Sequence, residues 1–201
     1  MPKLKNLFIN DLDFTFSNSC TEVLSYKWTS LASVSSLCKQ LHTIAVDSCK
    51  DYSKMMKEFS LLQNLRKLVL IKLNSISLMC DMKIPLEELQ VTYSSKLSSL
   101  CGVENFSDTL TMLSFENCKK LEGFNYFTSL SKLEHLFLFN CGKIPSLSFL
   151  RNMPAMHDIR FLGTEVIDGD LSACLGYDFV VCDNKKKYNY TAEQLMAFKG
   201  K

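Results

Sequence analysis

Apolar positions in this chain follow one repeated form. A large aliphatic residue is followed by two variable positions, a second aliphatic, one variable position and a third apolar residue. Two more variable positions and a small residue complete the unit. The form appears as LHTIAVDSC from Leu41, LRKLVLIKL from Leu65, LEELQVTYS from Leu86, LTMLSFENC from Leu110, LEHLFLFNC from Leu133 and MHDIRFLGT from Met156. Successive starts are spaced by 24, 21, 24, 23 and 23 residues. Within each unit the apolar residues alternate with variable ones, which predicts a short strand with one face turned inward. A single unit cannot bury its own aliphatic face. Stacking the units joins those faces into one core, as in solenoids with periods of 20–29 residues.

The ends depart from this rhythm. LKNLFINDL from Leu4 has the same form, but it precedes Leu41 by 37 residues, too far for one step. CTEVLSYKW (Cys20–Trp28) reads as a degenerate unit between them, with Val23 inward and Trp28 in the slot that Cys141 fills. SLASVSSLCKQL, which follows it, resembles the SLSFLRNMPAM behind Cys141. YDFVVC (Tyr177–Cys182) falls about one period after Met156 and reads as a last strand, so about 8–9 stacked strands are expected. The tail is suited to closing the stack. Lys185–Lys187 read as a solvated turn, and Thr191 caps a helix from Ala192 to Phe198, with Leu195, Met196 and Phe198 available for the sheet end. At the other end a strand at Leu4 leaves no room for a preceding cap. Either the 13–37 segment folds over it, a partner covers it, or the first layer frays.

The repeat resembles that of the leucine-rich repeat superfamily over nearly the whole chain. The ending IDGDLSACLGYDFVVCDNKKKYNY is similar to that of small intracellular bacterial leucine-rich repeat proteins. Those often carry a KKHY-like run before a closing tyrosine segment, and here Lys187 stands in the histidine place. The resemblance implies an α/β fold: a curved, right-handed leucine-rich repeat solenoid. A parallel sheet lines its concave side, with short helical or irregular segments on the convex side. It implies a single domain over 1–201, with irregular repeats in 1–40, regular repeats in 41–182 and a C-terminal cap in 183–201. It also implies that Cys49, Cys118 and Cys141 are small inward residues that satisfy turn backbone. Buried thiols of this kind are unreactive.

Composition narrows the functional classes. The chain has 201 residues and a formal net charge of +2, so no bulk field draws it to nucleic acid or acidic membranes. No apolar run reaches the roughly 18 residues of a membrane span, and the start MPKLKNLFIN lacks the apolar stretch of a secretory signal. Nine cysteines, an odd number with no C-x-x-C, fit free thiols in a reducing cytosol. They are too dispersed for a zinc site of their own, and neither metal nor cofactor is expected.

The outward slots form the remaining surface. The central slot holds Phe8, Ala45, Val69, Gln90, Ser114, Phe137 and Arg160; the next holds Asn10, Asp47, Ile71, Thr92, Glu116, Phe139 and Leu162. The preceding slot holds Asn6, Thr43, Lys67, Glu88, Met112, His135 and Asp158, and Tyr93 adds an aromatic at the edge. Phe8, Lys67, Val69, Ile71, Glu88, Gln90, Tyr93, Glu116, His135, Phe137, Phe139, Asp158, Arg160 and Leu162 are therefore the candidate partner-binding residues. Aromatics and arginine are the residue types that dominate interface energetics. Lys67 and Arg160 make no basic stripe for nucleic acid. Of three histidines, His135 faces Asp158 one strand on, a pair able to orient a base, but no nucleophile accompanies it. Asp168–Asp170 (DGD) reads as a turn rather than a calcium loop. The expected function is binding of another protein, with no enzymatic activity and a monomer as the favoured state. One such role, by analogy with the bacterial proteins, is an immunity or antitoxin partner masking a toxin domain. The alternative is a scaffold or substrate-receptor subunit of a larger regulatory complex.

Overall fold

The computed structural model describes residues 6–10, 13–17, 23–27, 41–48, 52–73, 75, 77 and 82–198. Its strands are β1 (Asn6–Asn10), β2 (Asp13–Ser17), β3 (Val23–Lys27), β4 (Thr43–Asp47), β5 (Lys67–Ile71), β6 (Glu88–Thr92), β7 (Met112–Glu116), β8 (His135–Phe139), β9 (Gly142–Ile144), β10 (Asp158–Phe161), β11 (Thr164–Val166) and β12 (Phe179–Cys182). Helix α1 spans Tyr52–Phe59 and α2 spans Ala192–Ala197. Short 3₁₀ turns at Val103–Phe106, Phe124–Ser129, Ser148–Asn152 and Ser172–Cys174 lie between strands and contact one another in order. The fold is α/β and solenoid-like. One ten-stranded sheet runs β12-β10-β8-β7-β6-β5-β4-β1-β2-β3, and β9 and β11 form a small second one.

Seven parallel pairings run without slippage from β1 to β12. Thr43, Lys67, Glu88, Met112, His135, Asp158 and Phe179 stand in one row. The apolar pattern enforces that register, because a one-residue slip would turn every aliphatic side chain outward. From β4 to β8 each strand alternates half-buried and buried residues. Ile44, Leu68, Leu89, Leu113, Leu136 and Ile159 are fully buried in one layer. Behind them the 3₁₀ turns contribute Phe124, Phe127 and Phe149, which pack on one another and on Phe115.

The chain leaves β4, β5, β6, β7, β8 and β10 through the same backbone device. Ser48, Lys72, Tyr93, Asn117, Asn140 and Gly163 occupy the same repeat position, and all have positive φ. The N–H of each of the first five reaches the carbonyl of the next strand's end, as Asn117 does to Phe139 at 2.9 Å. The following slot is the expected inward turn residue. Cys118 Sγ donates to Val91 O and Glu116 O, and Cys141 Sγ to Phe115 O and Phe139 O. Ser94 and Thr164 use hydroxyls in the same place: Ser94 Oγ donates to Thr92 O, Thr164 Oγ1 to Leu138 O, and each accepts a backbone N–H from the preceding repeat. Cys49 lies outside the described residues.

The amino end differs from expectation. β1 pairs in parallel and directly with β4, Asn6 beside Thr43, so no unit at Cys20–Trp28 lies between them. Instead β2 and β3 continue the sheet beyond β1 as an antiparallel meander. Two residues separate β1 from β2, and parallel strands need a crossover of a dozen or more, so only an antiparallel return is open to the chain. Of the three alternatives for this end, the first holds for the described part of the 13–37 segment: β2 and β3 cover the β1 edge by sheet extension.

The carboxyl end closes much as its residues suggest. Thr191 caps α2 in a capping box with Gln194. Leu195 is fully buried, and Met196 Sδ accepts the Val180 N–H at 3.2 Å. Phe198, expected to be available for the sheet end, is 56% exposed, and its ring meets the edge of Tyr190. The lysine turn is more than solvated: Lys187 Nζ reaches Glu165 Oε1 at 2.6 Å and Ile167 O at 3.2 Å. Beside it Tyr188 Oη accepts the Val166 N–H and Asn189 Oδ1 the Leu171 N–H. The tail thus supplies the acceptors that a further repeat would otherwise provide.

Candidate functional site

Strand pleating turns every second residue of the sheet away from the core, so the outward face is a grid set by repeat position and strand number. Its middle part, on β5 to β7, is half-buried and internally paired. Lys67 Nζ lies 2.7 Å from Glu88 Oε2, and the Asn117 side chain bonds Glu116 at 3.3 Å. Val69, Ile71 and Gln90 lie among them, half-buried. Tyr93 is 57% exposed at a strand exit. Phe8 shares the row of Ala45 by backbone pairing; its side chain is outside the described residues.

The face changes character at β8. Phe137 and Phe139 sit on the same side of that strand, rings stacked at 6.0 Å and 27°. Phe137 pairs with Arg160 on β10, and Arg160 with Val181 on β12. The Arg160 guanidinium lies 4.9 Å over the Phe137 ring. Its Nε and Nη2 donate to Asp158 Oδ1 and Oδ2 at 2.8 and 2.7 Å. Asp158 also accepts from His135 Nδ1 at 3.3 Å, so the cross-strand Asp–His pair exists. Asp158 itself is buried and committed to these two partners, not open to a third. Its hydrogen bond raises the Arg160 pKa further above its ordinary value, so the cation is permanent.

Leu162, Phe179 and Val181 extend this patch, each more than a third exposed. Thus His135, Phe137, Phe139, Asp158, Arg160 and Leu162 come together, while Lys67, Val69, Ile71, Glu88, Gln90, Tyr93 and Glu116 lie on the strands before them. Phe179 and Val181 are members that the sequence reading missed. The signal was present: the unit starting at Tyr177 places them in the slots of Asp158 and Arg160.

Other chemistry is limited. Burial raises the thiol of Cys118, pushes that of Cys141 up to about 12 and that of Cys182 up to about 11, and holds Cys174 protonated as well. None of these is a nucleophile at neutral pH. The DGD segment is a turn: Asp168 Oδ1 accepts the Asp170 N–H, and Asp170 Oδ1 accepts from Ser172 N and Asn189 Nδ2. Among the described residues one group has the donors for a metal ion, Glu134 with His135 and His157.

No family model matches this chain, and comparison with curated proteins returns no match. No helix among the described residues is long and apolar enough to cross a membrane.

Proposed function

We propose that this chain is a leucine-rich repeat protein that binds another protein through the outward face of its sheet. The observation that carries the reading is the patch in which exposed Leu162, Phe179 and Val181 flank half-buried Phe137 and Phe139, with Arg160 held over Phe137. Contiguous exposed apolar surface in a water-soluble fold marks contact sites. Aromatics and arginine carry most interface energy. Arg160 is already fixed by Asp158 and Phe137, so little side-chain freedom is lost on binding. The two cations expected on this face are each paired with a carboxylate, Lys67 with Glu88 and Arg160 with Asp158, which disfavours nucleic acid.

Within that reading the proposed role is cytoplasmic immunity: the chain masks a toxin domain. Its support is the resemblance of the Ile167–Tyr190 ending to bacterial leucine-rich repeat proteins. The test is co-purification of the chain with the product of the neighbouring gene. Phe137→Glu with Phe139→Glu abolishes capture while the urea midpoint stays near that of the wild type. Undiminished capture by a folded double variant moves the binding face elsewhere.

A further inference from the structure

We propose that Glu134, His135 and His157 form a binding site for one divalent transition-metal ion, of which zinc is the best match. One ligand atom from each residue lies within 4.8 Å of the other two. The backbone frame is tight, since His157 N and Asp158 N both donate to Glu134 O, at 3.2 and 3.1 Å. The two imidazoles meet edge to face with centroids 4.9 Å apart.

The hydrogen bonds around the rings prepare them for coordination. His157 Nδ1 faces Ala155 O at 3.2 Å, and a carbonyl only accepts, so the proton sits on Nδ1. His135 Nδ1 faces the Asp158 carboxylate, another acceptor, so the same tautomer follows. Both rings therefore present the lone pair of Nε2. His135 Nε2 lies 3.9 Å from Glu134 Oε2, beyond hydrogen-bond reach, and in the neutral ring both atoms are acceptors. A cation placed between them satisfies both. Imidazoles oriented through Nδ1–H by a carboxylate or a backbone carbonyl are the usual outer arrangement of a protein zinc site.

Two imidazoles and one carboxylate make a three-ligand set that leaves a fourth position open. Nitrogen and oxygen donors of this kind favour zinc-like ions over magnesium or calcium. Ligand atoms on a tetrahedral zinc stand about 3.3 Å apart, so no pair in the group needs to close by more than about 1.5 Å. The Glu134 side chain, 47% exposed, is free to swing in. The site adjoins the aromatic patch, His135 lying 6.2 Å from Phe137, but its existence does not depend on protein binding.

Titrating the chelator-stripped full-length protein with cobalt(II), then with zinc, tests this. One cobalt binds per chain, with visible bands of a nitrogen and oxygen environment and no thiolate charge-transfer band, and zinc displaces it. His157→Ala and His135→Gln each weaken binding by more than tenfold. Asp158→Asn, which changes no ligand but weakens the support of His135 along with the Arg160 pair, weakens it by about 10–100-fold, while Arg160→Ala, which breaks the same pair and leaves the Asp158–His135 contact, does not. Should a variant unfold, wild-type NMR decides: zinc shifts the ring signals of His135 and His157 and not those of His42. No saturable binding, a thiolate band, unchanged affinity in the histidine variants, or a shift confined to His42 overturns the proposal.

Discussion

Asp158 and Arg160 form a two-pronged ion pair in which the carboxylate is buried and the guanidinium reaches the surface. The pair is asymmetric, and the asymmetry is measurable. Arg160→Ala strands a buried charge with only His135 beside it, whereas Asp158→Asn leaves an arginine that water can solvate. Arg160→Ala should cost about 2–3 kcal/mol and Asp158→Asn about 1 kcal/mol, below the loss for a wholly buried pair. Urea unfolding of the two variants reads the difference, and a larger loss for Asp158→Asn contradicts it.

The buried thiols predict a loss of stability at high pH. Burial raises Cys141 from 9.0 to about 12, so between these values the unfolded chain has lost a proton that the folded chain keeps. Stability from this group is complete below pH 9 and declines as pH rises toward 12. Cys182, raised to about 11, and Tyr177, raised to about 12, act in the same direction. Urea midpoints should fall steadily above pH 9, and Cys141→Ser should make the fall shallower. A midpoint that rises with pH above 9 contradicts this.

Asn117 leaves β7 at φ 55°, in the left-handed region that asparagine and glycine tolerate and β-branched residues do not. Asn117→Val should cost about 1–2 kcal/mol, while Asn117→Gly should stay close to neutral. Thermal unfolding of the two variants makes the comparison. Equal losses would place the cost in the Asn117–Glu116 hydrogen bond instead of the backbone.

Leu195 is the one fully buried residue of α2, the helix packed on the last strand β12. Leu195→Ala should cost about 2–5 kcal/mol. Thr191→Ala, which removes the cap but not the contact, should cost about 1 kcal/mol. Hydrogen exchange should show the loss first at Val180, whose N–H bonds Met196. Protection there that survives Leu195→Ala means the helix does not cap the stack.

The regular part of the fold was legible because one short rule is repeated. Leu89, Leu113 and Leu136 recur at a fixed place, so their inward direction follows from chain geometry alone. Thr191 with Gln194 was legible for the same reason, since a helix cap is a local interaction. The amino end was not. Whether Val23–Lys27 pairs in parallel or antiparallel depends on which strand edge it meets, and alternation of side chains is identical in both.

The site divides in the same way. By itself the sequence determined the period, the inward and outward positions and the row that brings Phe137 beside Arg160, because these follow from repeat spacing and a pleat of two. Only the tertiary structure decided that Asp158 is buried while its slot-mate Phe179 is exposed, and that Arg160 turns to Asp158 and Phe137. It also decided that His135 and His157 meet. Those outcomes depend on side chains from different repeats competing for the same space and the same acceptors, which no pattern along one strand contains.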